Sequence, residues 1–176
     1  TQGLTPRAVI FNLATLEPVR TLEGASAGVG SLAFNPDGSQ IATACSEKEV
    51  RIWAAANAPD YLSLEGHNGV VWAVTCSGDG RRIATGSFDK TAKVWDATSG
   101  SLIQTIPVGM PVLSLALSAD GGRLVTPTPG ATATVWDVAE GQALVTLQGH
   151  AGTVMSVALS ADGRRIVTGG KDNTAR

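Results

Sequence analysis

Short apolar runs alternate with turn residues along the whole chain. The clearest stretch covers residues 70–106. Val70 to Ser77 is largely apolar and stops at Gly78-Asp79-Gly80. Arg82 to Ser87 stops at Phe88-Asp89-Lys90, Thr91 to Trp95 stops at Asp96-Ala97-Thr98-Ser99-Gly100, and Ser101 to Ile106 follows. Runs of this length, rich in β-branched residues and bounded by Gly, Asp and Ser, are strand and hairpin signals. Asp-Gly also tolerates the positive φ of tight turns. The pattern predicts four short strands in succession. Val71-Trp72-Ala73-Val74 is apolar without alternation, so the first strand is expected to be covered on both faces, as in stacked sheets.

The unit repeats. Asp-Gly pairs fall at 37–38, 79–80, 120–121 and 162–163, which are 42, 41 and 42 residues apart. Trp53, Trp95 and Trp136 are 42 and 41 apart, and Phe11 lies 42 before Trp53. Gly66-His67 and Gly149-His150 are 83 apart, two periods. A fixed period of this size marks an array of small supersecondary units that bury their faces on one another.

Gly-His, then Asp-Gly, then Ser-Phe-Asp-Lys-Thr-Ala-Lys-Val-Trp-Asp resembles the WD40 repeat family. Trp95-Asp96 and Trp136-Asp137 carry the Trp-Asp pair, with Trp53-Ala54 and Phe11-Asn12 as degenerate copies. The resemblance covers nearly the whole chain, from about residue 7 to 176. It implies an all-β propeller with four-stranded antiparallel blades. Its phase implies about four blade equivalents: a half-blade at 7–24, repeats at 25–66, 67–108 and 109–149, and a half-blade at 150–176. Arg7 to Leu13 and Pro18 to Leu22 match third and fourth strands. Thr153 to Ser160 and Arg165 to Gly170 match first and second strands, and Thr174-Ala175-Arg176 aligns with Thr91-Ala92-Lys93. Two half-blades left alone would expose strand edges and apolar faces. Three arrangements avoid this: closure as a four-bladed ring, two chains joined half-blade to half-blade as an eight-bladed ring, or a stretch of a longer array.

Composition narrows the partners. The chain has 176 residues, 43% apolar and 16% charged, which is globular rather than disordered. The net charge is −2 with no basic block, so nucleic acid is not expected as a partner. No apolar stretch approaches the roughly 18 residues of a membrane span, and residues 1–7 lack the pattern of a signal peptide. Cys45 and Cys76 each sit in an apolar run and read as buried thiols. That favours a reducing, cytoplasmic setting.

His67 and His150 invite a metal or catalytic reading. The resemblance implies a structural one instead, a hydrogen-bonded network of His67, Thr85, Asp89 and Trp95, repeated in part by His150, Thr168 and Asp172. The corresponding positions are Ala25, Thr43, Glu47 and Trp53 in the first repeat and Gly109, Thr126, Gly130 and Trp136 in the third. The third repeat is expected to be weaker, since Pro127 and Pro129 also remove backbone donors from its second strand. No nucleophile elbow, phosphate loop, His-x-x-His or Cys-x-x-Cys occurs, so neither catalysis nor a metal or cofactor is expected.

The resemblance also implies where partners bind. Three positions per blade point to one ring face, two at the start of the first strand and one before the turn aspartate. Here these are Gly28 and Gly30, Val70 and Trp72, Pro111 and Leu113, Thr153 and Met155, then Ser46, Phe88, Pro129 and Lys171. Trp72, Phe88, Leu113 and Met155 are expected as an apolar cluster on that face, with Ser46 and Lys171 as further candidate contacts. The same side chains could instead pack between blades. Arg81-Arg82, Arg123 and Arg164-Arg165 follow the Asp-Gly turns and are expected on the opposite face, as solvated turns or as contacts to an acidic partner. The expected function is a non-catalytic interaction scaffold that docks a protein or peptide. The alternative is a self-assembling propeller unit that joins a second copy, as a homodimer, or further repeats.

Overall fold

A computed structural model describes residues 8–23, 28–46, 48–56 and 61–176. Arg7, Ala25 and Glu47 lie outside the described residues. The described chain is all β. Strands β1 (Ala8–Phe11) and β2 (Pro18–Leu22) form a two-stranded sheet. Three four-stranded sheets follow. They are β3 (Val29–Phe34) to β6 (Tyr61–Leu64) through β4 (Gln40–Cys45) and β5 (Val50–Ala54); β7 (Val71–Cys76), β8 (Arg82–Ser87), β9 (Thr91–Asp96) and β10 (Leu102–Pro107); and β11 (Ala116–Leu117), β12 (Arg123–Thr128), β13 (Thr132–Asp137) and β14 (Ala143–Leu147). Strands β15 (Val154–Leu159) and β16 (Ile166–Gly170) close the order as a second two-stranded sheet. Every pairing is between sequence neighbours and antiparallel.

Turn chemistry sets these hairpins. The glycines of the four Asp-Gly pairs, Gly38, Gly80, Gly121 and Gly163, have φ of 72°, 71°, 68° and 66°, a region that costs glycine nothing. The preceding aspartates cap the turns; Asp79 Oδ1, for example, accepts from the Arg81 amide at 3.0 Å and the Ser77 hydroxyl at 2.6 Å. The opposite turns repeat as well, with Lys48, Lys90, Ala131 and Asn173 all left-handed.

The core lies between sheets rather than within one. Val50, Ile52 and Leu64 of the first complete blade meet Val71, Ile83 and Trp95 of the next. Ala84, Val94 and Ile106 meet Val112, Leu115 and Leu124 of the third. Val125, Ala133 and Val135 meet Val154 and Val157 of β15. Leu22, with Ala8 and Ile10, packs on Ile41 and Trp53. Each fully buried aliphatic side chain stabilises by roughly 1.5–3 kcal/mol relative to exposure, so neighbouring blades hold one another.

The third blade departs from the expected four regular strands. Its first strand shrinks to Ala116 and Leu117, which pair with Val125 and Leu124. Pro111 and Leu113 therefore lie ahead of the ladder, not at the start of a strand. Pro127, opposite the lost segment, has no N–H to give. The freed residues bond to other blades instead: the Val112 amide donates to Ser87 O at 3.0 Å, and Ser114 Oγ accepts from the Val157 amide at 3.1 Å. Val112 and Leu115 are buried at 1% and 8% exposure.

Gly86 and Gly169 occupy the same register position two blades apart. A Cβ on Gly86 would lie 2.6 Å from Val112 Cγ1 and 2.7 Å from Val112 O, whereas one on Gly169 would meet only Ser156 Cβ at 4.0 Å. Gly86→Ala should therefore cost about 1–3 kcal/mol through overpacking. Gly169→Ala should be neutral or stabilising by up to ~1 kcal/mol. Urea unfolding midpoints of the two variants check this; equal effects would contradict it.

Candidate interaction site

Beneath one face of the second complete blade, four side chains join three elements. The Trp95 indole on β9 donates to Thr85 Oγ1 on β8 at 2.9 Å. Thr85 Oγ1 lies 2.8 Å from His67 Nε2, and His67 Nδ1 lies 2.8 Å from Asp89 Oδ2 in the β8–β9 turn. An ionised Asp89 accepts the Nδ1 proton, so Nε2 is the acceptor of the threonine hydroxyl and the relay runs in one direction. Asp89 also accepts from the Asn68 amide and from the Thr91 amide and hydroxyl. Burial alone would push its carboxyl up, but the bonds from Thr91, His67 and Asn68 outweigh it and hold the pKa at about 2. Burial pushes the His67 imidazole below its ordinary value, against the pull of Asp89. No buried side-chain atom is unsatisfied among the described residues, and this arrangement ties the strands together.

The other blades carry parts of it. His150 Nε2 lies 2.8 Å from Thr168 Oγ1, and His150 Nδ1 lies 2.9 Å from Asp172 Oδ2. Hydrogen bonds from the Ala151 amide, Thr174 and His150 overcome burial and hold the Asp172 carboxyl well below the usual range. Trp53 donates to Thr43 at 3.0 Å and Trp136 to Thr126 at 2.9 Å. At Gly109 and Gly130 the third blade has no imidazole or carboxylate. There Thr128 bonds to Thr132 at 2.8 Å and to Thr134 at 3.0 Å, a hydroxyl ladder at the same end of the sheet.

The face above the relay is built from the first strand and the β8–β9 turn. Trp72 and Phe88 are each 46% exposed and meet edge to face, with centroids 5.9 Å apart. The Phe88 amide donates to Val70 O, which fixes the turn against the strand. Trp72 lies beside Gly30 of the neighbouring blade, where a Cβ would come within 3.7 Å of the ring. Met155, 41% exposed, and Lys171, exposed, hold the positions of Trp72 and Phe88 two blades on. Ser46 has its hydroxyl and amide committed to Gly28 O at 2.9 and 3.0 Å. Leu113 is half-buried outside the ladder. Two of the four expected apolar side chains thus form a contacting pair, and Leu113 takes a different setting because its strand is lost.

On the opposite face Arg82 reaches across to the third blade and donates to Gly121 O at 2.8 Å, while Arg81, Arg123, Arg164 and Arg165 are exposed. Among the described residues no group of three or more His, Cys, Asp or Glu could hold a metal. Cys45 is buried, and burial pushes the Cys76 thiol up to about 11, far from a reactive thiolate. Sequence reasoning did not single out Arg51, whose guanidinium is buried beside Glu49 and lies 4.5 Å above the Tyr61 ring. It occupies the register position of Lys93, and that alignment was the available signal.

The family model described as "WD domain, G-beta repeat" matches residues 16–54, 60–96 and 141–176. The chain belongs to the WD40-repeat family. No curated protein matches it. The matched segments omit 97–140, where the WD40 array has lost its imidazole, its turn aspartate and most of its first strand. Repeats of this family generally serve as non-catalytic protein-interaction scaffolds.

Two outcomes follow for the relay. Thr85→Val strands a buried indole N–H and an imidazole nitrogen, at about 1–3 kcal/mol for each unsatisfied group. Thr126→Val strands only the indole of the half-buried Trp136, which water can reach, so chemical denaturation should show the larger loss for Thr85→Val. The pH dependence has a definite sign. The unfolded chain takes up a proton on His67 near pH 6.5 and on Asp89 near 3.8, while the folded chain resists both. Stability should therefore fall with acid, first below about pH 6.5 and again between about 4 and 2. His67→Gln should flatten the first stage in midpoints measured from pH 7 to 5.

Proposed function

We propose that this chain is a scaffold that docks a protein or peptide partner on the face carrying Trp72 and Phe88. The observation behind this reading is the edge-to-face pair itself: two large rings, each nearly half exposed, on a strand and a turn that the relay beneath makes rigid. Aromatic anchors on a preorganised backbone bind at low entropic cost. Lys90 is exposed two residues after Phe88, and Met155 and Lys171 repeat the positions on the fourth unit, so a partner spanning several blades would meet apolar contacts together with cations. The reading assigns no catalysis and no cofactor, and it excludes nucleic acid and membrane as partners, in keeping with the net charge of −2. A reducing, cytoplasmic setting suits the two free thiols, of which Cys45 is buried and Cys76, expected to be buried, is only partly so. A second reading is association with a second copy or with further repeats, favoured by the two-stranded sheets β1–β2 and β15–β16.

Trp72→Ala and Phe88→Ala should each abolish capture of a partner by the immobilised chain. Arg81→Ala and Arg164→Ala on the opposite face should leave capture intact. All four positions are exposed, so far-UV spectra and unfolding midpoints should shift little. Capture that survives both aromatic substitutions places the docking surface elsewhere.

A further inference from the structure

On the face opposite Trp72 and Phe88 the Asp-Gly turns of successive blades stand side by side, and one junction between them is open. The glycine of each turn reports how it is packed. A Cβ on Gly80 would lie 3.4 Å from Pro36 Cδ of the preceding turn, and one on Gly121 would lie 2.5 Å from Arg82 Cδ. A Cβ on Gly163 would meet nothing within 4 Å. Two hydrogen bonds close the junction before Gly121. The Asp79 amide donates to Ala119 O at 2.8 Å, and the Arg82 guanidinium donates to Gly121 O at 2.8 Å. One blade on, the same register gives the Asp120 amide and Arg123 as donors and Ala161 O and Gly163 O as acceptors. Among the described residues neither of those bonds forms.

One side chain accounts for the difference. Gly78 lies so near the next turn that a Cβ on it would stand 2.9 Å from Ala119 Cβ and 3.0 Å from Ala119 Cα. Ala119 takes the place of Gly78 in the third blade and carries that Cβ, so its turn cannot approach Ala161 as closely. The opening thus lies between two complete turns. It is a cleft of about 340 Å³ lined by residues 118–120, Arg123 and residues 161–163, at the small end of the range for ligand sites. Its two carboxylates are committed to their own turns. Asp120 Oδ1 accepts from the Ser118 hydroxyl at 2.6 Å and the Gly122 amide at 2.9 Å. Asp162 Oδ1 accepts from the Ser160 hydroxyl at 2.6 Å and the Arg164 amide at 3.0 Å. These bonds hold both carboxyls below the usual range, so they stay ionised. Arg123 is exposed, and its guanidinium has no partner among the described residues.

We propose that this cleft is a second docking site, in which a partner protein inserts a tight acidic turn between the Ser118–Arg123 and Ser160–Arg165 turns. It lies on the face opposite Trp72 and Phe88 and goes beyond the docking reading above. The cleft offers donors from one turn, the Asp120 amide and Arg123, and acceptors from the other, Ala161 O and Gly163 O. A peptide turn carries both kinds of group, whereas a phosphate offers acceptors to the donors and nothing to the carbonyls. The inserted turn would thereby replace the two bonds that the closed junction makes within the chain. A carboxylate on it would pair with Arg123, a charge-assisted bond stronger than the one Arg82 makes to a neutral carbonyl. Asp120 and Asp162 narrow the class further. They oppose a phosphate group, which brings close to two negative charges, and a nucleic-acid backbone, which brings one per nucleotide. A single carboxylate is balanced by Arg123.

The test titrates the full chain, labelled with nitrogen-15, with the blocked peptide Gly-Glu-Asp-Gly-Ser, whose Asp-Gly pair favours a turn. Its neutral counterpart Gly-Gln-Asn-Gly-Ser, inorganic phosphate and a single-stranded oligonucleotide serve as the other probes. The acidic peptide should shift the Asp120 amide and the Arg123 Nε–H resonances saturably at millimolar concentration. The neutral peptide should bind about tenfold more weakly, and Arg123→Gln should cost the acidic peptide a similar factor. Ala119→Gly restores the small residue of the closed junction, so it should weaken binding severalfold. All three positions that vary or report are exposed, and far-UV spectra should stay unchanged. Trp72→Ala should leave the titration as it is, which separates this site from the ring face. Equal binding of the two peptides, or no effect of Arg123→Gln, overturns the acidic turn as the occupant. Shifts confined to Trp72 and Phe88 place the peptide on the ring face and overturn the second site. Phosphate or the oligonucleotide moving the same resonances at lower concentration overturns the peptide class, and no response to any probe overturns the cleft as a site.

Discussion

Each four-stranded sheet of this chain is apolar on both faces and can leave water only between two neighbours. The clusters around Trp95, Leu124 and Val154 all straddle two sheets, and hydrogen bonding within a sheet covers neither face. Stability in such an array is a sum over neighbour contacts rather than a property of one blade. The same constraint explains why equivalent residues differ so widely. Gly86 is pressed by Val112 of the next blade, while Gly169 has open space at the corresponding point. Trp95 is sealed between blades, while Phe11, in the same register, has more than half its surface in water.

Inside each blade the tie between strands is polar, and it varies without changing the architecture. The second complete blade uses indole, hydroxyl, imidazole and carboxylate in sequence, and the third replaces imidazole and carboxylate with a run of threonine hydroxyls. What matters is that the buried polar atoms at this end of the sheet find partners, since an unpaired one costs more than a bond gains. The third blade accepts Pro127 for a related reason. The amide of Val112 and the hydroxyl of Ser114 bond to other blades, so the loss of ladder pairing strands neither group.

Two kinds of exposed aromatic surface result. Trp72 and Phe88 project from the ring face above an intact blade, where no neighbouring blade is needed to cover them. Phe11 lies instead on a face that the corresponding Trp95 turns toward a neighbouring blade.

Much of this was legible in the residues. The 41–42 residue period, the Asp-Gly turns and the place of each strand follow from turn chemistry and local propensity, which act over a few residues and repeat wherever the same residues do. The side chains of the relay could be named from their register, because a repeat puts like positions in like places. Trp72 and Trp95 each lie two or three residues from a turn and look alike along the chain, yet Trp72 is open and Trp95 is closed. Leu113 was expected on a strand that does not form, since Pro127 acts on it from across the sheet. The order of the strands and the places of their turns were set by the sequence itself, but the length of β11 was not. Which faces meet water was decided only when neighbouring blades came together, because burial belongs to pairs of blades and no single repeat contains that information.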